Sequence, residues 1–138
     1  MIDRETILGL IPHAGRMCLL DRVVGWDADR VLCSSDSHRA DDHPLRADGQ
    51  LSAIHLIEYA AQAAAVHGGL LVRAPSPGVL ASVRDLQLQV GRIDDIDAPL
   101  EITAHRRIAS AAGSIYDFEV SAAGRQLASG RLSVMPAA

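Results

Sequence analysis

Two periodicities divide the chain. In its C-terminal half, Leu86, Leu88 and Val90 alternate with Gln87 and Gln89, and Leu100 and Ile102 with Glu101 and Thr103. Tyr116, Phe118 and Val120 alternate with Asp117 and Glu119, and Leu132 and Val134 with Arg131 and Ser133. A period of two places one face of each strand on a core and the other in water, as in an antiparallel sheet. Pro75-Ser76-Pro77-Gly78, Ala111-Ala112-Gly113 and Ala123-Gly124 supply turns. Nearer the start, Cys18 to Trp26 and Arg30 to Ser37 read as the arms of a hairpin through Asp27-Ala28-Asp29. Such a turn pairs Cys33 with a residue near Val23, so Cys18 and Cys33 are not expected to form a disulfide.

The helical signal is different. Asp3 can cap a short helix through about Gly9, ended by Pro12. From Ala53 to His67 there is no Pro or Gly and Ala dominates, which favours one long helix. Ser52 is the expected N-cap and Gly68-Gly69 the expected stop, with His67 near the negative end of the dipole. This helix is apolar nearly all round, so it belongs inside the protein. A short helix, a hairpin, a long helix and a run of strands make an α+β fold rather than a βαβ one. The 138 residues fit a single domain, 1–138.

Composition narrows the function. The 13 basic residues are all Arg, which excludes lysine Schiff-base chemistry and a Walker-type phosphate lysine. A net charge of −4 and only four Phe, Trp and Tyr residues argue against a nucleic-acid partner. The charged start, Met1-Ile2-Asp3-Arg4-Glu5, lacks a secretion signal, and Glu58, Gln62 and His67 interrupt the longest apolar run. A cytoplasmic protein without a membrane span is expected. No HxxxH or CxxC spacing points to a metal.

The long helix carries the candidate chemistry. Its polar residues before the final His are His55, Glu58, Tyr59 and Gln62, at offsets i, i+3, i+4 and i+7. They form one narrow stripe with a single full charge. A solvent-facing stripe of this length normally carries several charges, so Glu58 is expected to be enclosed. An enclosed carboxylic acid can donate a proton to a leaving group. The first amides, around Ala53, Ile54 and His55, sit at the positive end of the dipole and suit a carbonyl oxygen that gains charge. His43, in the loop before the helix, is the candidate base, with His55 as its competitor.

These residues also carry a family resemblance. Ile11-Pro12-His13 followed by Leu19-Leu20-Asp21-Arg22-Val23, then His43, then Ile54-His55-Leu56-Ile57-Glu58 leading into Ala61-Gln62, resembles the bacterial 3-hydroxyacyl-acyl-carrier-protein dehydratases. His43 to Leu71 looks most like the branch associated with aryl-polyene biosynthesis. The family's Gly-His-Phe-Pro is here Asp42-His43-Pro44-Leu45, and its Pro-Gly at the helix start is Ser52-Ala53.

The resemblance implies a hot-dog fold, an antiparallel sheet wrapped around one long central helix. It implies dehydration of a 3-hydroxyacyl thioester, carried by acyl-carrier protein or coenzyme A, to a trans-2-enoyl thioester without metal or organic cofactor. It implies a dimer, either a homodimer or a heterodimer with a related dehydratase subunit. His43 of one chain would take the α-proton and Glu58 of the other would assist departure of the β-hydroxyl. Gln62 would support Glu58, and Ala53, Ile54 and His55 would bind substrate. Arg39, Arg46 and Arg84 are candidates for docking an acidic carrier. Two other functions fit the same residues. One is a catalytically weak partner subunit of a heterodimeric dehydratase, and the other is a hot-dog acyl thioesterase.

Overall fold

The structure, a computed structural model, describes residues 1–75 and 78–136. A two-residue strand β1 (Ile2–Asp3) leads into helix α1 (Arg4–Leu8), whose N-terminus is capped by the Asp3 carboxylate accepting from Thr6 N–H. Strands β2 (Arg22–Trp26) and β3 (Arg30–Ser35) precede the long helix α2 (Leu56–Val72). Strands β4 (Gly78–Leu88), β5 (Leu100–Ser110), β6 (Gly113–Ala122) and β7 (Arg125–Pro136) follow. All seven strands form one antiparallel sheet in the order β1-β2-β3-β5-β6-β7-β4.

The alternation read from the sequence sets the two faces. Leu100, Ile102 and Ala104 of β5 and Tyr116, Phe118 and Val120 of β6 are buried, while Glu101 and Glu119 are exposed. The inner face packs on Leu56, Tyr59, Ala60, Ala63, Val66 and Leu70 of α2. The helix is enclosed by the sheet, the arrangement expected of a hot-dog fold. Small residues on α2 let it sit close to the strands, and the core is mainly Leu, Ile, Val and Ala.

The hairpin has the expected register, Val23 opposite Cys33, and both cysteines are free and buried. Its turn is closed by the Asp27 carboxylate, which accepts from Asp29 N–H and Arg30 N–H at 2.9 Å each. Its paired first arm starts only at Arg22, and Cys18 to Leu20 form a buried lead-in. Among the described residues no helix is long and apolar enough to cross a membrane.

Three expectations are corrected. The helix does not stop at Gly68-Gly69 but runs to Val72 and ends at Arg73, which is left-handed with φ 56°. A Cβ at Gly69 would lie 3.2 Å from the Leu10 Cβ and 3.3 Å from its carbonyl oxygen. Glycine is there for a close approach to the chain after α1, not for termination. His67 therefore lies within the helix and is buried, not a cation at its end. Its Nε2 donates to the Asp27 carbonyl (2.8 Å) and its Nδ1 accepts from the Tyr116 hydroxyl (2.7 Å). Burial holds its pKa below the usual histidine value.

The last correction concerns β4, which begins at Gly78, eight residues before the expected alternation, and ends at Leu88. A register shift between Arg84 and Gln87, with Asp85 at φ 54°, breaks the period within the strand. The expected turn Pro75-Ser76-Pro77-Gly78 includes residues 76 and 77, which lie outside the described residues.

Candidate active site

The chain enters α2 through a tight turn. Asp48 (φ 53°) and Gly49 (φ 75°) reverse the backbone between Ala47 and Gln50, which exchange hydrogen bonds. Leu51 N–H then donates to the Asp94 carboxylate (2.8 Å), and Ser52 caps a 3₁₀ turn over Ala53–His55. This closes the amides expected to be free for a carbonyl oxygen. Ala53 N–H donates to Gly91 O (3.0 Å), Ile54 N–H to Ser52 Oγ (3.3 Å) and His55 N–H to Ser52 O (3.2 Å). The 3₁₀ geometry, with bonds to i−3, uses donors that an abrupt α-helical start leaves open. Ile54 is exposed and His55 half-buried, so both present side chains at this end of the helix.

One turn further on, Glu58 is held from two directions. Gln62, a turn along the helix, is fully buried. Its Oε1 accepts from Leu19 N–H (2.8 Å), and its Nε2 donates to Met17 O (2.7 Å) and to Glu58 Oε1 (3.3 Å). The backbone of Met17 to Leu19 thus fixes which way the amide faces. His13 approaches the same carboxylate oxygen, with Nε2 3.1 Å from Oε1. Among the described residues nothing bonds Glu58 Oε2. The Glu58 side chain is 32% exposed, so the expected enclosure is only partial within one chain.

His43 sits in a different network. It is 5% exposed and makes no hydrogen bond to Glu58 among the described residues. Its Nδ1 accepts from Leu45 N–H (3.1 Å), so Nε2 carries the ring proton and faces the Tyr59 hydroxyl (3.1 Å). Tyr59 in turn donates to Ser37 Oγ (2.7 Å), because Ser37 gives its own proton to Leu19 O (2.8 Å). Burial is the main reason the His43 pKa lies below the usual histidine value, and the nearby Arg46 adds to it. Burial likewise raises the Tyr59 phenol far above its ordinary range. A cavity of about 90 Å³ adjoins His43, lined also by Arg4, Arg16, Cys18, Ser37 and Asp42. The two networks meet at one residue: Leu19 offers its N–H to Gln62 and its carbonyl to Ser37.

Of the expected site residues, the chain therefore brings Glu58 and Gln62 together and leaves His43 apart from them. His55 is not bonded to Glu58 among the described residues. Two of the three candidate docking arginines have structural work. Arg39 pairs with Asp36 and Asp97, and Arg46 bonds the carbonyls of Ala40, Gly49 and His38. Arg84 makes no hydrogen bond or ion pair among the described residues and is exposed on β4. Sequence reasoning passed over His13 as a partner of Glu58. Its one signal is its place beside Pro12 in the opening motif, since 45 residues separate it from Glu58. No group of three or more His, Cys, Asp or Glu side chains converges as a metal site requires, among the described residues.

Comparison with known proteins follows the same line. The profile of the family described as ApeP-like, ApeP dehydratase, matches residues 5–138. A solved chain of the dehydratase heterocomplex ApeI:P from Xenorhabdus doucetiae is 26% identical, with a TM-score of 0.86 over 96% of this chain and 91% of that one. AziG of S. sahachiroi is 18% identical, with a TM-score of 0.64 over 87% of this chain and 91% of that one. A hypothetical thioesterase from Streptococcus pneumoniae, solved with coenzyme A, is 12% identical, with a TM-score of 0.60 over 84% of each chain. The last two share the fold alone. No curated protein sequence matches the chain.

Proposed function

The chain belongs to the ApeP-like dehydratase family, and on that premise we propose that it takes part in converting a 3-hydroxyacyl thioester to the trans-2-enoyl thioester plus water, in aryl-polyene or fatty-acid-like synthesis. The observation that carries this reading is Glu58. Its Oε1 accepts from Gln62 and lies 3.1 Å from His13 Nε2, while its Oε2 is unbonded among the described residues, in the first turn of a mainly apolar helix. Oε2 gives its proton to the β-hydroxyl as the C–O bond breaks, and water leaves. A base takes the α-proton, and the electron pair forms the double bond. His43 of a partner chain is that base in this reading.

The acyl group lies along α2. Ala61, Ala65 and Gly68 follow Glu58 on one face of the helix and are half-buried. Ten residues of helix span about 15 Å, and at the far end Ala65 and Gly68 open into a cavity of about 190 Å³ beside Tyr116. Ile54, His55 and Gln62 border the reacting end, and Ala53 anchors the turn beneath it. The acyl group arrives on a carrier protein or coenzyme A, and of the three candidate arginines Arg84 is the one whose side chain is unengaged among the described residues. The two free, buried thiols suit a reducing compartment, and we place the protein in the cytoplasm.

A second reading is favoured by His43, whose two ring nitrogens are both engaged within its own chain. In it this chain completes a heterodimer with a related dehydratase subunit that supplies the base. The similar Xenorhabdus doucetiae chain comes from a heterocomplex, and β4 is an eleven-residue outer strand with Val79 and Leu80 exposed. The test is mass spectrometry on a panel of 3-hydroxyacyl carriers, with the chain alone and with such a subunit. Loss of one water by the chain alone supports the first reading, and loss only with the subunit supports the second. Release of free thiol would instead favour a thioesterase. Where water is lost, Glu58→Gln should lower turnover by about 10²–10⁴.

A further inference from the structure

The geometry points to His13 as a positioning residue that fixes which oxygen of Glu58 handles the proton. This rests on the reading of Glu58 as the acid and deepens it. His13 lies after α1, in the segment that passes the start of α2, and its ring is 30% exposed. The two ring nitrogens are in different circumstances. Nε2 is 3.1 Å from Glu58 Oε1, whereas Nδ1 is buried and has no hydrogen-bond partner among the described residues. A proton on Nδ1 would be a buried donor without an acceptor, which is costly. A bare lone pair there is tolerated better. The ring proton therefore sits on Nε2, beside Glu58 Oε1.

Gln62 Nε2 donates to that same Oε1, and its orientation is imposed by Leu19 N–H and Met17 O. With one N–H donating to this oxygen and a second 3.1 Å away, a proton on Oε1 would face two like dipoles. In the neutral acid, Oε1 is the carbonyl oxygen and Oε2 the hydroxyl. Once Oε2 has given its proton, the Gln62 donor and the neighbouring His13 N–H dipole already face the carboxylate, as preorganised dipoles do where charge develops. His13 would act through Glu58, since its Nδ1 is buried and its Nε2 lies beside Oε1.

The test uses the full chain, with its partner subunit where turnover requires one, and two substitutions at this position. His13→Leu keeps a side chain of similar bulk and removes the donor. His13→Gln places an amide N–H where Nε2 sits. We expect His13→Leu to lower kcat by about ten- to a hundredfold, the scale of a hydrogen bond to a charged group, with KM within about twofold. His13→Gln should return kcat to within a few-fold of the parent. Equal losses in both variants would assign His13 to packing, and an unaffected His13→Leu would overturn the proposal. A readout independent of turnover is ¹⁵N NMR of histidine-labelled protein. It should find the His13 proton on Nε2, and a proton on Nδ1 overturns the proposal even if the Leu variant fails to fold. Glu58→Gln run in parallel separates the two levels of the argument. Full turnover in that variant sinks the acid assignment and this proposal with it, whereas an inactive Glu58→Gln beside an active His13→Leu sinks this proposal alone.

Discussion

Gln62→Leu isolates the energetic weight of the network that holds Glu58. The substitution conserves volume at a fully buried position, so packing changes little. What is lost is the acceptor for Leu19 N–H and the donor to Met17 O and Glu58 Oε1. These losses are unequal. The bond from Leu19 is buried, and no water can replace it, so it costs about 1–3 kcal/mol. Met17 is half-buried and the Glu58 carboxylate partly exposed, so water can repair both for less than about 1 kcal/mol each. Leucine recovers about 1 kcal/mol through its extra apolar contact. The net loss is therefore about 2 kcal/mol. Urea unfolding should show the midpoint falling by about 1 M with an unchanged slope, and thermal unfolding a loss of about 6–10 °C for a domain of this size. Parent and variant must be compared at equal protein concentration, because association adds to apparent stability. An unchanged midpoint would show that Leu19 N–H has another acceptor, and that Gln62 does not anchor the site as described.

Two further outcomes follow from buried groups. His38, His43 and His67 are each held below the ordinary histidine pKa, chiefly by burial. The unfolded chain thus binds more protons near pH 6, and stability, full above about pH 6.5, should decline as pH falls toward the folded values. Urea midpoints at pH 7.5 and 5.5 test this, and a higher midpoint at 5.5 would contradict it. Asp117, pulled down to about 2 by its hydrogen bond from Arg131, acts only at lower pH and does not disturb that window. At the β5–β6 turn, Gly113 has φ 143°, and a Cβ there would run into the Val134 carbonyl. Gly113→Ala should therefore cost about 1–3 kcal/mol in unfolding experiments, and an unchanged midpoint would refute the strain argument.

What the sequence disclosed was local. The Asp3 cap, the Val23–Cys33 register, the long helix and the alternation in β5, β6 and β7 each depend on residues a few positions apart, and each stands in the structure. What it hid was tertiary. Gly69 looked like a stop because nothing nearby in sequence announces Leu10 against it. The free amides at Ala53–His55 disappeared because Gly91 reaches Ala53 from a segment some forty residues away, while Ser52 folds the turn into a 3₁₀ form. The polar stripe was placed correctly on one face, but spacing could not divide it. Tyr59 and Gln62 point into the protein and bind the loop backbone or its side chains, while His55 and Glu58 remain partly open.

That division bears on how a complete site is assembled. Within one chain, the His43 network runs through Tyr59 and Ser37 to Leu19 O, and the Glu58 network runs through Gln62 to Leu19 N. Their shared element is the Leu19 backbone, held through its N–H and through its carbonyl, so moving either side chain toward the other disturbs buried bonds around that residue. A reaction that uses both residues is then served more cheaply by two chains than by rearranging one. To act as a base, His43 would still have to free a nitrogen. Nε2 carries the ring proton in this network, so it can accept a substrate proton only after its own has moved elsewhere. Nδ1 holds the lone pair, and freeing it leaves the half-buried Leu45 N–H without its acceptor. Neither nitrogen of His43 is therefore ready to take a proton within its own chain. The Glu58 carboxylate needs no such exchange: its Oε2 is already unbonded among the described residues while Oε1 is held.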